Sequence, residues 1–244
     1  MNAIKLENVY KLFACESGNE KFTNALQNIS LEIEQDSLTV IGGANGSGKS
    51  VLMNIISGLM EASDGKIFVE SKPGLIFQDA NVQILGDTLA DDVAIGPKNL
   101  KVPKNQISEI VQNSLKSVSL EKKMDFPAEF LSGGEKRRLA VASILAMNRN
   151  IMIFDEPYAN LDYWGVLDVN NLIKKLRGEH KTVLILTHEL EKCLGMADHF
   201  IILFEGKKVF DGKAQEALKL DLEKWGIRNP LNAYTKLEDL VWQK

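Results

Sequence analysis

Cysteine is scarce: the 244-residue chain has two, Cys15 and Cys193, far apart and outside any CxxC spacing. That excludes a disulfide framework and leaves free thiols in a reducing compartment as the expectation. Histidine is nearly as rare, and the three present build no obvious metal site. Long apolar runs are missing too. A stretch such as Phe200-Ile201-Ile202-Leu203-Phe204 is far short of the roughly 20 residues that cross a bilayer as a helix. Residues 1–10 mix Lys5 and Glu7 with single apolar residues and lack the continuous core of a secretion signal. If the chain works at a membrane, another chain has to hold it there. Charge of one sign is also lacking: 29 basic against 33 acidic residues give a net charge of −4, no electrostatic reason to expect nucleic acid as the main partner. What remains is ordinary globular composition, 45% hydrophobic and 25% charged, which excludes wholesale disorder and a fibrous repeat. The length allows one α/β domain carrying a smaller lobe.

The stretch Gly43-Ala44-Asn45-Gly46-Ser47-Gly48-Lys49-Ser50 fits the phosphate-binding pattern GxxxxGK[ST]. Leu38-Thr39-Val40-Ile41 supplies a strand before it, and the periodic run from Val51 supplies a helix after it. Small residues let successive backbone N–H groups converge on an anion while the helix adds the positive end of its dipole. Lys49 is expected to reach the outer phosphates and Ser50 to offer its hydroxyl to Mg²⁺. A chance coincidence of the four fixed positions is expected on the order of 1% of the time in a chain this long.

Around this loop, Ile4-Lys5-Leu6-Glu7-Asn8-Val9 and Ile29-Ser30-Leu31-Glu32-Ile33-Glu34 alternate at period two and read as antiparallel, half-exposed strands. Short strands are expected over residues 66–69 and 74–77. Residues 79–145 turn helical, with Ile107, Ile110, Val111 and Leu115 on one face after a loop from Gly96-Pro97 to Pro103, and read as a helical lobe inserted into the α/β core. Ile151-Met152-Ile153-Phe154 and Thr182-Val183-Leu184-Ile185-Leu186 are continuous and apolar, as parallel strands buried on both faces should be. Between them Val169, Leu172, Ile173 and Leu176 mark a helix closed by Gly178. The strand at 200–204 precedes turn glycines Gly206 and Gly212, and the tail predicts helices near 216–222 and 234–241 separated by Pro230.

Ligands of open parallel sheets bind outside the carboxyl ends of the strands. Gln78, Asp155-Glu156 and His188 each sit at such an end. A carboxylate after four apolar residues is costly unless a cation offsets its desolvation, which suits Asp155 to Mg²⁺. Glu156 is then free to orient or deprotonate an attacking water, and His188 to sense the γ-phosphate rather than ligate a metal. Ser132 and Glu135 in Leu131-Ser132-Gly133-Gly134-Glu135 have capping-box spacing at the start of a helix through Leu145. Gly133-Gly134 beside that helix N-terminus make a second anion site, which need not serve the same subunit's nucleotide. Lys136, Arg137 and Arg138 read as a solvated face rather than a nucleic-acid patch.

With these motifs the chain resembles the ATP-binding cassette (ABC) ATPases over residues 4 to about 212. Walker A lies at 43–50, the Q-loop at Gln78, the LSGGE signature at 131–135, Walker B at 151–157, the D-loop at Ala159-Asn160-Leu161-Asp162 and the switch histidine at His188. The resemblance implies an α/β fold: a P-loop NTPase (RecA-like) core with an antiparallel β subdomain and an inserted helical subdomain near 79–145. It divides the chain into an ATPase domain at 1–212 and a C-terminal helical extension at 213–244. It implies that Phe13 stacks on adenine, that Gly43 to Ser50, Val51 and Gln78 bind ATP, and that Ser50, Gln78 and Asp155 hold Mg²⁺. It also implies a head-to-tail dimer with a second ABC ATPase subunit, identical or related, in which Ser132, Gly133, Gly134 and Glu135 act in trans.

Phe77-Gln78-Asp79-Ala80-Asn81-Val82-Gln83 and Thr88-Leu89-Ala90-Asp91-Asp92-Val93-Ala94-Ile95-Gly96-Pro97 are similar to the energy-coupling factor and cobalt/nickel importer ATPases, as is the tail stretch 226–231. Asp79-Ala80, Val51 and Asn160 depart from the usual Asn-Pro, threonine and glycine or alanine. The subgroup implies ATP hydrolysis that drives uptake of a vitamin or transition metal ion through integral membrane subunits docked near 79–97, with this chain peripheral on the cytoplasmic face and no nucleic acid involved. The rival within the family is a soluble ATPase of iron–sulfur cluster assembly. DNA-repair and chromosome-organising members usually carry coiled coils or zinc modules, and no heptad run or cysteine cluster occurs here.

Overall fold

A computed structural model describes residues 1–14 and 22–232. Cys15 and the helix expected near 234–241 lie outside them. The chain opens with β1 (Asn2–Ala14) and β2 (Phe22–Glu34), followed by β3 (Leu38–Gly42) and α1 (Lys49–Ile56), then β4 (Asp64–Val69) and β5 (Gly74–Ile76). Helices α2 (Leu89–Asn99), α3 (Lys104–Ser117) and α4 (Gly133–Leu145) come next. After them run β6 (Ile151–Asp155), α5 (Tyr163–Gly178), β7 (Thr182–Thr187), β8 (His199–Phe204), β9 (Lys207–Gly212) and the short α6 (Ala214–Ala217).

The strands form two sheets. One is antiparallel, in the order β2-β1-β4; the other runs β5-β6-β7-β3-β8-β9 and is parallel except for β9. Every residue of β3, β6 and β7 is buried. Because successive side chains point to opposite faces, each strand feeds two cores. Val40, Met152, Phe154, Ile185 and Phe200 pack with the helices α2 to α6 on one face. Ile41, Ile153, Leu184, Leu186 and Ile201 pack on the other with α1 and with Ile4, Leu6, Leu26 and Ile33 of the antiparallel sheet. Fully burying each such side chain is worth about 1.5–3 kcal/mol, so the doubly covered sheet is the rigid frame of the molecule.

Three expectations need correction. Gly96-Pro97-Lys98-Asn99, read as loop, is the last turn of α2. Thr88 starts this helix firmly by accepting the Asp91 N–H, so Pro97 loses only one bond near the end. Gly96 is there for packing: a Cβ would stand 2.5 Å from Met147 Cγ. Second, Gly212 is no turn but the end of β9, a strand the sequence reading lacked. The hairpin between β8 and β9 turns on Glu205 and Gly206, both at positive φ (48 and 74), as a two-residue type I′ loop requires. Third, the tail helix expected near 216–222 is the shorter, earlier α6, followed by a 3-10 turn at Glu223–Trp225. Leu222 and Ile227, on either side of that turn, are buried in the core.

Candidate nucleotide-binding site

The phosphate loop leaves the end of β3 and enters α1 at Lys49. Gly48, at φ 104, is required at the entry: a Cβ would come within 2.8 Å of Leu26 Cδ2 and 2.9 Å of the Ala25 carbonyl. The loop is tied on both sides, since Gly206 N–H donates to the Ser47 carbonyl at 3.1 Å and Gln27 N–H donates to the Gly206 carbonyl at 2.7 Å. A cavity of about 450 Å³ opens over it. Residues 45–51, Gln78 and Glu156 line it, with Thr23 of β2 and Gly206 at its edge.

Lys49 is buried and donates to the carbonyls of Gly43 at 2.7 Å and Ala44 at 3.2 Å. Burial pulls its pKa down, and the neighbouring Glu156 and Asp155 carboxylates oppose that shift. Asp155 closes β6 and is buried, its Oδ1 without any hydrogen-bond partner. Desolvation pushes its pKa up, the Glu156 charge adds to the rise, and Lys49 and the Ser50 hydroxyl work against it. Such an orphaned carboxylate oxygen beside a serine hydroxyl suits a hard cation that takes its other ligands from phosphate and water. Among the described residues no group of three His, Cys, Asp or Glu side chains converges on a metal position, so an all-protein cage is absent there.

Glu156 stands in the left-handed region at φ 45, unusual for a residue with a side chain. Its N–H donates to the Leu186 carbonyl at 2.8 Å, and its carboxylate is buried among donors. Oε2 accepts from Thr187 Oγ1 at 2.9 Å and from His188 N–H at 3.3 Å, while His188 Nδ1 lies 3.0 Å and Lys49 Nζ 3.6 Å from Oε1. A carboxylate only accepts, so Nδ1 carries the imidazole proton in this pair.

The structure thus brings Lys49, Ser50, Gln78, Asp155, Glu156 and His188 to one rim. Phe13 it leaves at the margin. Phe13 pairs in register with Thr23, which lines the cavity, but its ring is half exposed under the Lys11 ammonium, 5.2 Å from the centroid. Ser132, Gly133, Gly134 and Glu135 lie elsewhere, at the head of α4, and none of them lines this cavity. The capping box is complete: Ser132 Oγ accepts the Glu135 N–H at 3.3 Å and Glu135 Oε2 accepts the Ser132 N–H at 3.0 Å. Lys123 first, then the Ser132 N–H, hold the Glu135 carboxyl down at about 2. A Cβ on Gly133 or Gly134 would meet nothing within 4 Å, so this helix head is open on its surface side.

The solvated face expected of Lys136, Arg137 and Arg138 does not hold for Arg137. Its buried guanidinium donates to the carbonyls of Pro157 at 2.6 Å, Ala159 at 3.0 Å and Gln78 at 2.9 Å. It therefore braces the helical lobe against the Q-loop and the chain after Glu156. A signal existed, since Arg137 is in helical phase with Ala140, Val141 and Ile144, the buried stripe of α4. Asn160 of the D-loop stands at φ 59, a conformation asparagine tolerates as glycine does, so that departure keeps the loop's shape. Cys193 is buried, and its thiol is pushed up to about 12, chiefly by desolvation.

Comparison with known proteins bears on the family and the fold. The model of the ABC transporter family matches residues 26–159. The energy-coupling factor transporter ATP-binding protein EcfA of Carboxydothermus hydrogenoformans is 37% identical over 94% of this chain and 88% of its own length. The EcfA of Pediococcus pentosaceus is 37% identical over 96% and 87%. Among solved structures, cbiO1 of Clostridium perfringens, part of the ABC transporter complex cbiONQ, superposes with a TM-score of 0.79 at 29% identity over 89% of this chain and 91% of that one. A dimeric ATP-binding cassette in a post-hydrolysis state with ADP and Pi gives 0.76 at 28% identity over 86% and 98%. A family model over more than half of the chain and relatives of 37% identity along nearly all of it establish that the chain belongs to the ABC transporter family as one of its ATP-binding ATPases.

Proposed function

We propose that this chain is the ATP-hydrolysing subunit of an energy-coupling factor type importer, driving uptake of a vitamin or transition metal ion through separate membrane subunits. The observation that carries the reading is Glu156, a buried carboxylate held between Lys49 and His188 at the phosphate-loop cavity. The backbone N–H groups of residues 45–50 and the Lys49 ammonium bind the phosphates. Val51 and Gln78 complete that surface, and Phe13 offers its ring to adenine. Ser50 and Asp155, with Gln78, would hold Mg²⁺, which would neutralise phosphate charge as the leaving oxygen departs. Glu156 takes the proton of the attacking water, and His188 orients that carboxylate and reads the γ-phosphate.

The signature residues Ser132 to Glu135 present an open helix head and do not line their own chain's phosphate cavity, which supports a second ATPase subunit, a copy or a relative, facing it. Residues 79–97 dock the membrane subunits, and the chain sits peripherally on the cytoplasmic face. Among the described residues no helix is long and apolar enough to cross a membrane, in keeping with a separate spanning partner. Residues 1–212 form the ATPase domain and 213–244 its C-terminal extension. Relatives named as energy-coupling factor proteins favour this reading over iron–sulfur cluster assembly. Phosphate release from Mg-ATP should fall by about 10²–10⁴-fold in Glu156→Gln while ATP still binds and a stable dimer accumulates on size exclusion. Turnover at the wild-type rate would remove Glu156 from its role. Failure to co-purify with any integral membrane protein would remove the transport role.

A further inference from the structure

The reaction as described uses Glu156 but not the hydroxyl beneath it. Thr187 is the last residue of β7 and is fully buried. Its Oγ1 accepts the Glu189 N–H at 3.0 Å and donates to Glu156 Oε2 at 2.9 Å. A hydroxyl has one proton, and here the carboxylate is its acceptor.

The terminal torsion of a glutamate is soft and nearly two-fold, so nothing intrinsic distinguishes its two oxygens. The surroundings do. Oε2 is held by two donors from the end of β7, the Thr187 hydroxyl and the His188 N–H. Oε1 accepts from His188 Nδ1 at 3.0 Å and lies 3.6 Å from Lys49 Nζ, a group that lines the phosphate cavity, so it is the oxygen on the phosphate side. Glu156 is also held in a left-handed backbone conformation, which persists only where neighbours over-determine it.

We propose that Thr187 is a positioning residue for ATP hydrolysis, pinning Oε2 so that Oε1 is the oxygen that receives the proton. As the water attacks, its O–H bond breaks and the proton passes to Oε1. The freed electron pair forms the new bond to the γ-phosphorus, while the bond from that phosphorus to the bridging oxygen breaks and its electron pair leaves with ADP. The assignment rests on Glu156 being the base.

The test is steady-state phosphate release and ATP binding by Thr187→Val, Thr187→Ser and Glu156→Gln beside the wild type. Valine keeps the shape without the hydroxyl and should lower kcat by about tenfold to a hundredfold, the loss of one hydrogen bond to a charged group, with ATP affinity within about twofold. Serine restores the hydroxyl and should return kcat to within about threefold of wild type. A merely structural role would instead lower the melting temperature and raise KM. Should valine prevent folding, Thr187→Ala is read by the same criteria. Wild-type kcat in the hydroxyl-free variant, a loss confined to KM, or a serine variant as slow as valine overturns the proposal. Turnover retained in Glu156→Gln overturns the underlying reading of the base, whereas an inactive Glu156→Gln with wild-type kcat in Thr187→Val sinks only Thr187.

Discussion

Truncating Lys49 to alanine removes a buried ammonium from a cavity that otherwise meets phosphate largely with backbone N–H groups. Its Nζ is engaged with the carbonyls of Gly43 and Ala44 and lies 3.6 Å from Glu156 Oε1. Burial lowers its pKa, so the charge is under-solvated where it stands. An arriving phosphoryl group replaces bonds to neutral carbonyls by charge-assisted ones worth about 1.5–3 kcal/mol. Because the carbonyl bonds are surrendered in exchange, the net falls toward the lower end. ATP affinity should weaken by about tenfold and by no more than about a hundredfold. Calorimetric titration settles it if both proteins also carry Glu156→Gln, which keeps the nucleotide intact. The melting temperature of the empty protein should change by no more than about 2–4 °C, which separates lost contact from lost fold. An affinity within about twofold of the parent would refute the phosphate contact.

Asp155→Asn should raise stability at neutral pH, because burial and the Glu156 charge raise the pKa of Asp155. The sign follows: a carboxyl raised in the folded state leaves the protein most stable below the ordinary value of 3.8 and costs stability as pH rises through the folded pKa. Thermal melts at pH 7 should favour the asparagine variant by about 2–4 °C per kcal/mol recovered, and the gap should close below pH 3.8; a wild type that melts higher at pH 7 would count against the burial account. Arg137→Met should cost about 1–3 kcal/mol by stranding the carbonyls of Gln78, Pro157 and Ala159. Amide exchange should quicken around residues 78 and 157–160, and unchanged exchange there would show that the brace is dispensable.

Much of the frame was legible because β3, β6 and β7 are buried on both faces and spell that out as unbroken apolar runs. The phosphate loop and the capping box were equally readable, since each is a local device whose residues sit within a few positions of one another. Elements decided by distant contacts were not. The end of α2 hides behind Gly96-Pro97, which argue for a loop until Met147 is seen to occupy the space a side chain would need. β9 is polar and half exposed, and only its pairing with β8 makes it a strand. Arg137 looked like its charged neighbours because three backbone carbonyls from two other segments, its actual partners, leave no mark in the local sequence.

The stitching of the phosphate loop to Gly206, and through Gly206 to Gln27, joins both sheets at the site. Its disorder is therefore spent when the protein folds, not when a ligand arrives, and an incoming nucleotide has little chain to organise. Binding strength here is accordingly set largely by charge, and a mutation that loosened the hairpin would weaken the grip entropically without touching a single ligand atom.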